Sequence, residues 1–351
     1  IETAGLFSNS MDAINWYDDG QGSSPIETEK YFESEVIGIA DVGVGILVDY
    51  LEEEPYPVDI AIGGTKVTAT VHDGIGLFAS SMELLPAFVE INATASNGYG
   101  IALEKGIIAE DGQGVAIWGT SENTPIAANE YINFMKTEVN SIDPPTTAGV
   151  WIGRYAELGR EEDEDILEER DIVLHGSAPM DIPGSTGIEI YSNRNGSVDG
   201  SLSTQNEKVI IEAKGYTGAR VESIYTSAFS KTATSAITTY SIEGYKDGLI
   251  VTGMMDIDGY SDAGGDVEGE YLVEMNIHAE TGTGLHLSDD LSFGSVYLNI
   301  TGGKYAMDIQ ADYVTIQYSK VLASSHKEDT IAAINVTSND MDAIGYINFY
   351  N

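Results

Sequence analysis

The chain has no cysteine. Disulfide staples, thiol nucleophiles, iron–sulfur clusters and cysteine-ligated zinc are therefore excluded. Bases are scarce as well: 16 Lys and Arg stand against 57 Asp and Glu, a formal charge of −41. A surface of one sign repels nucleic acid and anionic lipid at long range and attracts cations. No apolar run approaches the roughly 20 residues that a membrane-crossing helix needs, so no membrane insertion is expected. Helical periodicity is scarce. Ala156 to Arg170 is its clearest candidate. Thr124-Pro125 could open a second helix to about Met135, although Tyr131-Ile132-Asn133-Phe134 also reads as a strand.

What the sequence does contain is a short recurrent pattern. Gly-x-Gly followed by alternating apolar residues appears as Gly43-Val44-Gly45-Ile46-Leu47-Val48 and Gly74-Ile75-Gly76-Leu77-Phe78-Ala79. It returns at Gly98-x-Gly100, Gly112-x-Gly114 and Gly282-x-Gly284, and more loosely at Gly184 to Ile190. Glycine permits a tight or positive-φ bend, and the alternation that follows suits one face of a strand. Val, Ile, Thr and Tyr are plentiful, which also suits strands. The expected fold class is all-β, mainly antiparallel. Duplicated β-repeat units would form a sandwich or a solenoid, with one or two short helices.

Three blocks suggest the duplication. Ala40 to Val48 resembles Ala279 to Leu287, and Gly63-Gly64 resembles Gly302-Gly303 at the same offset. Ile91-Asn92-Ala93-Thr94 resembles Ile334-Asn335-Val336-Thr337, four residues out of step. The Gly-Gly pairs, between alternating runs, predict hairpin turns. The expected organisation is an N-terminal arm at 1–34, a first β-repeat region at 35–150, an acidic connector at 151–183 and a second region at 184–351. Ser8-Asn9-Ser10-Met11-Asp12-Ala13-Ile14 resembles Ser338-Asn339-Asp340-Met341-Asp342-Ala343-Ile344. That likeness suggests a displaced closing segment able to complete a neighbouring copy by strand addition.

Chemical motifs are few. There is no Gly-x-Ser-x-Gly elbow and no phosphate-binding loop. The Gly-x-Gly copies lack the third glycine of a dinucleotide fingerprint. Asp256, Asp258, Asp262 and Asp266 concentrate carboxylates on a glycine-rich segment. Such segments can surround calcium, which takes six to eight oxygens, although the spacing is not that of an EF-hand. Calcium is therefore the one cofactor candidate. The run 161–165 reads as a solvated acidic face. Of the five histidines, His278 and His286 lie close enough in sequence to meet across adjoining strands. Asn-x-Ser/Thr sequons stand at Asn92, Asn195, Asn299 and Asn335. The chain begins at Ile1, as mature secreted proteins can after signal removal and as a trimmed chain also would.

Acid excess, absence of cysteine, internal β-repeats and scattered sequons together resemble archaeal cell-envelope proteins. Within that group the chain is most similar to the surface-layer or tubular sheath subunits of methanogens. The resemblance is one of overall character and rests on no diagnostic motif. It implies an extracellular, non-enzymatic structural subunit that polymerises with itself through strand contacts, with calcium and glycans among its implied features. Two other classes share the composition: a carbohydrate-active enzyme or lectin on a β scaffold, and a viral coat or spike protein.

Overall fold

The computed structural model describes residues 4–8, 11–14, 34–48, 60–84, 89–109, 114–124, 146–159, 171–191, 200–205, 208–230, 237–261, 271–326, 333–337 and 346–350. These residues are all-β. The strand registers fall into three ladders, and every one of them is parallel. The chain winds through sheet one, sheet two and sheet three in turn and then returns to sheet one a rung higher. The first full turn shows this. Residues 34–40 pair with 65–71 in sheet one, 44–48 pair with 75–79 in sheet two, and Ile60–Ile62 pair with Met82–Leu84 in sheet three. Thr65–Leu84 and Val89–Ala109 each run through all three sheets as one bent strand.

Parallel neighbours cannot be joined by a two-residue link, because the chain must cross back before it pairs again. Here each crossing is the other two sheets. The antiparallel expectation is thus corrected. Period-2 alternation places alternate side chains inward whichever way the neighbouring strand runs. Val296–Gly302 and Tyr305–Gln310, on either side of Gly303, lie in sheets one and two and do not pair with each other. Gly302-Gly303 is therefore a corner, not a hairpin. Gly63-Gly64 is also a corner, from sheet three into sheet one.

The Gly-x-Gly pattern has a two-part explanation. Its first glycine turns the corner from sheet one to sheet two: Gly43, Gly74 and Gly98 are paired in register and have φ of 117°, 142° and 126°. Its second glycine stacks in one column. Gly45, Gly76, Gly100, Gly149, Gly187, Gly218, Gly248 and Gly284 succeed one another through sheet two, ending at Ala306. A Cβ on Gly76 would lie 2.6 Å from the Gly100 carbonyl oxygen. The Gly112-x-Gly114 copy lies elsewhere: Gly114 leads into the sheet-one strand Val115–Thr124.

The long duplication therefore resolves into single coils. Gly45 and Gly284 share a column, but Gly64 and Gly303 occupy different corners. Ile91–Thr94 lies in sheet one and Ile334–Thr337 in sheet two, so Asn92 and Asn335 are not equivalent. Ala4–Ser8 pairs with this chain's own 44–48, and Met11–Ile14 with its own Ile60–Gly63. In this single chain the N-terminal segment is thus paired as a rung of its own stack. The similar stretch at 338–344 lies outside the described residues. Of the helix candidates, Ala156 begins as strand within Tyr155–Gly159, while 160–170 and 125–135 lie outside the described residues. The ladders continue without a break across 150 and 184, through Thr147–Ile152, Tyr155–Gly159 and Asp171–Ser177.

One apolar core runs inside the coils from Ile46 to Val314. Full burial of each such side chain contributes about 1.5–3 kcal/mol. Tyr240 crosses this core at mid-stack, where sheet three supplies Thr204 and Thr226 in place of larger residues. A second apolar cluster, with Leu47, Phe78, Tyr99 and Trp151, lies on the other side of sheet two. Thr147–Ile152 and Ser185–Ile190 are accordingly buried on both faces.

Candidate functional site

Two regions could carry function: the outward face of sheet one and the two ends of the stack. On sheet one, register alone builds columns of outward side chains one rung apart. One column runs Ile37, Thr68, Asn92, Trp118, His175, Glu212 and onward through Asn276 and Asn299 to Leu322. Its centre is chemically distinct. Trp118 is 36% exposed, and its ring centroid lies 4.6 Å from that of His175. His175 Nδ1 lies 3.0 Å from Glu212 Oε2. An ionised carboxylate only accepts, so Nδ1 is the donor in this pair. An exposed indole beside a fixed imidazole and carboxylate offers an apolar plate with polar groups at its edge.

The predicted sites fall on several surfaces. Asp256 and Asp258 are neighbours on the exposed side of Met255–Ser261 in sheet three. The surrounding protein, and then the Asp256 charge, push the Asp258 carboxyl above its ordinary value. Asp262 and Asp266 lie outside the described residues. Among the described residues no group of three or more His, Asp or Glu side chains is placed to hold a metal ion. Asn92 donates to Glu90 Oε1 at 2.8 Å, Asn299 to Asn276 Oδ1 at 3.2 Å and Asn335 to Asp308 Oδ1 at 2.7 Å. Asn195 lies outside the described residues. His278 and His286 do not meet. His278 contacts Thr301 Oγ1 at 2.5 Å in sheet one, and His286 lies 3.5 Å from Asp308 in sheet two. Nothing in the spacing of Trp118, His175 and Glu212 foretold their alignment, because coils of unequal length separate them.

Among the described residues, the last strands Lys320–Ser325, Ile334–Thr337 and Tyr346–Tyr350 are paired with the coil before them. The inward column of sheet two shows the consequence. From Ile46 to Met307 every residue in it is at most 2% exposed, whereas Ile334, the next in register, is 44% exposed. Val321, Ala323 and Val336 are likewise only partly buried. Among the described residues no helix is long and apolar enough to cross a membrane. No family model matches the chain, and neither a curated protein nor a solved structure matches it.

Proposed function

We propose that this protein is a self-assembling structural subunit of an extracellular layer, sheath or filament, and not an enzyme. The observation that carries the reading is the open core at Ile334. Among the described residues, a column of buried apolar side chains in a stack of parallel strands gives way at Ile334 to a side chain that is 44% exposed. Unpaired strand edges promote association with another chain unless something covers them, and a second copy supplies matching rungs. The charge of −41 keeps copies apart until counter-ions screen it, so assembly strengthens with added salt or divalent cations. The class of protein resembled in composition supports the same reading and adds cell-surface location, glycans and calcium to it. Analytical ultracentrifugation and electron microscopy of concentrated protein, with and without salt and calcium, test the proposal. Regular polymers are expected, and a strictly monomeric chain under all these conditions overturns it.

A second reading rests on Trp118, His175 and Glu212. Their alignment suits binding of a neutral or lightly charged carbohydrate, with the indole stacking on a sugar face. Titration with soluble oligosaccharides, using Trp118→Ala as the comparison, separates this reading from a purely structural one. Saturable binding lost in the variant supports it, and absence of binding removes it.

A further inference from the structure

We infer that copies join end to end, with the first coil of one copy seated on the last coil of the next in continuous register. This inference rests on the assembly reading and specifies its junction. Among the described residues, Ala4–Ser8 is the first strand of sheet two and Met11–Ile14 the first of sheet three. Ile334–Thr337 and Tyr346–Tyr350 are the last strands of those same sheets. All pairings among the described residues are parallel, so a following copy in the same orientation extends each ladder without reversing it.

The residue columns agree with this junction. Leu6 is in register with Ile46, at the head of the column that ends at Ile334. Met11 heads the sheet-three column that ends at Ile347, and Ala13 the column that ends at Phe349. Stacking one rung on the next therefore sets Leu6 over Ile334, Met11 over Ile347 and Ala13 over Phe349. Ser8, over Val336, is the polar exception. The 44% exposure of Ile334 is what such a neighbour would remove.

The junction has a further geometric consequence. Among the described residues the first strand lies in sheet two and the last in sheet three, and sheets two and three hold eleven rungs against ten in sheet one. Each junction thus lacks one sheet-one strand. Ile37 and Leu322, 55% and 43% exposed, are at the two borders of that place. At about 4.8 Å per rung, eleven rungs give polymers of this 351-residue chain an axial repeat of about 53 Å.

The absence of native cysteine makes the register directly testable. Phe7 and Asn335 stand at opposite ends of one sheet-two column. In the double variant Phe7→Cys with Asn335→Cys, the two thiols are about 48 Å apart within a chain. Across the inferred junction they are one rung apart, within the roughly 4.4–6.8 Å Cα range of a disulfide. Polymers of this full-length variant, mildly oxidised, should give a ladder of covalent multimers on a non-reducing gel that collapses on reduction. Phe7→Cys with Leu322→Cys, which joins different sheets, should give none. Polymers that form normally without the first ladder, or that crosslink equally through the second pair, overturn the junction and leave the assembly reading standing. Wild-type polymers offer a second measurement, independent of any variant. An axial repeat far from about 53 Å also overturns the junction, and failure of the wild-type chain to assemble removes both readings.

Discussion

The hydroxyl oxygens of Tyr240 and Thr226 lie 2.6 Å apart in the middle of the core, joining sheet one to sheet three. Thr204 Oγ1 stands 3.0 Å from Thr226 Oγ1 and 3.4 Å from the Tyr240 hydroxyl. Complete burial pushes the Tyr240 phenol above its ordinary range, with the threonine hydroxyls partly opposing the shift, so it remains protonated and can donate. Three polar groups thus satisfy one another where water has no access.

Tyr240→Phe keeps the ring and removes the oxygen. Thr204 and Thr226 can still bond to each other, so the expected loss is about 1 kcal/mol, the size of one net buried hydrogen bond. Urea unfolding followed by circular dichroism measures it. An unchanged midpoint would show that this bond contributes nothing net.

Gly149→Ala tests the glycine column. The added Cβ would lie 2.7 Å from the Gly119 carbonyl oxygen and closer still to the Ser177 nitrogen. Both are backbone atoms, so no rotamer change relieves the clash. Destabilisation of about 1–3 kcal/mol is expected from such overpacking. A thermal melt indistinguishable from wild type would refute close packing of this column.

Acid stability should depend on two carboxyls of opposite behaviour. Asn97 donates to Asp73 at 2.5 Å, and His72 Nδ1 lies 3.1 Å away; together they hold the Asp73 carboxyl below its ordinary value. A depressed folded-state pKa means that the unfolded chain binds the proton more readily. The Asp73 contribution is therefore present above the ordinary Asp range and is lost as pH falls through the lower folded value. Asp258 has the opposite sign: its raised value makes its ionised form unfavourable in the fold, and protonation relieves that cost. Melting profiles between about pH 2 and 7 should lose part of their acid limb in Asp73→Asn. Asp258→Asn should gain stability at neutral pH and lose that advantage in acid. Parallel profiles for wild type and both variants would contradict these assignments.

Calcium remains a proposal for the segment that begins with Asp256 and Asp258 and continues to Asp262 and Asp266. A cation bound by the folded state alone raises its apparent stability with concentration. Melting should shift downward in chelator and recover with calcium, and Asp258→Asn should shrink that shift. Identical melts in chelator and calcium would dispose of the proposal.

The sequence by itself determined where many strands lie and which of their residues face inward. The alternating runs at 46–48, 67–71, 296–301 and 305–309 are all strands, because period-2 burial is a property of one strand alone. It also marked Gly43, Gly74 and Gly98 as bends, since a positive φ is costly for other residues. Only the tertiary structure decided what pairs with what. Alternation is identical in parallel and antiparallel ladders, and Gly-Gly serves a corner as well as a hairpin, so Gly302-Gly303 was ambiguous. Gly149, Gly218 and Gly248 join the column of Gly45 without a complete Gly-x-Gly motif, because what they share is close approach to the next backbone. Trp118 and His175 are 57 positions apart in sequence and one rung apart in space. The length of the excursion between two rungs does not change the hydrogen bonds that align them. Columns of function on this fold are therefore created by stacking and are invisible to spacing.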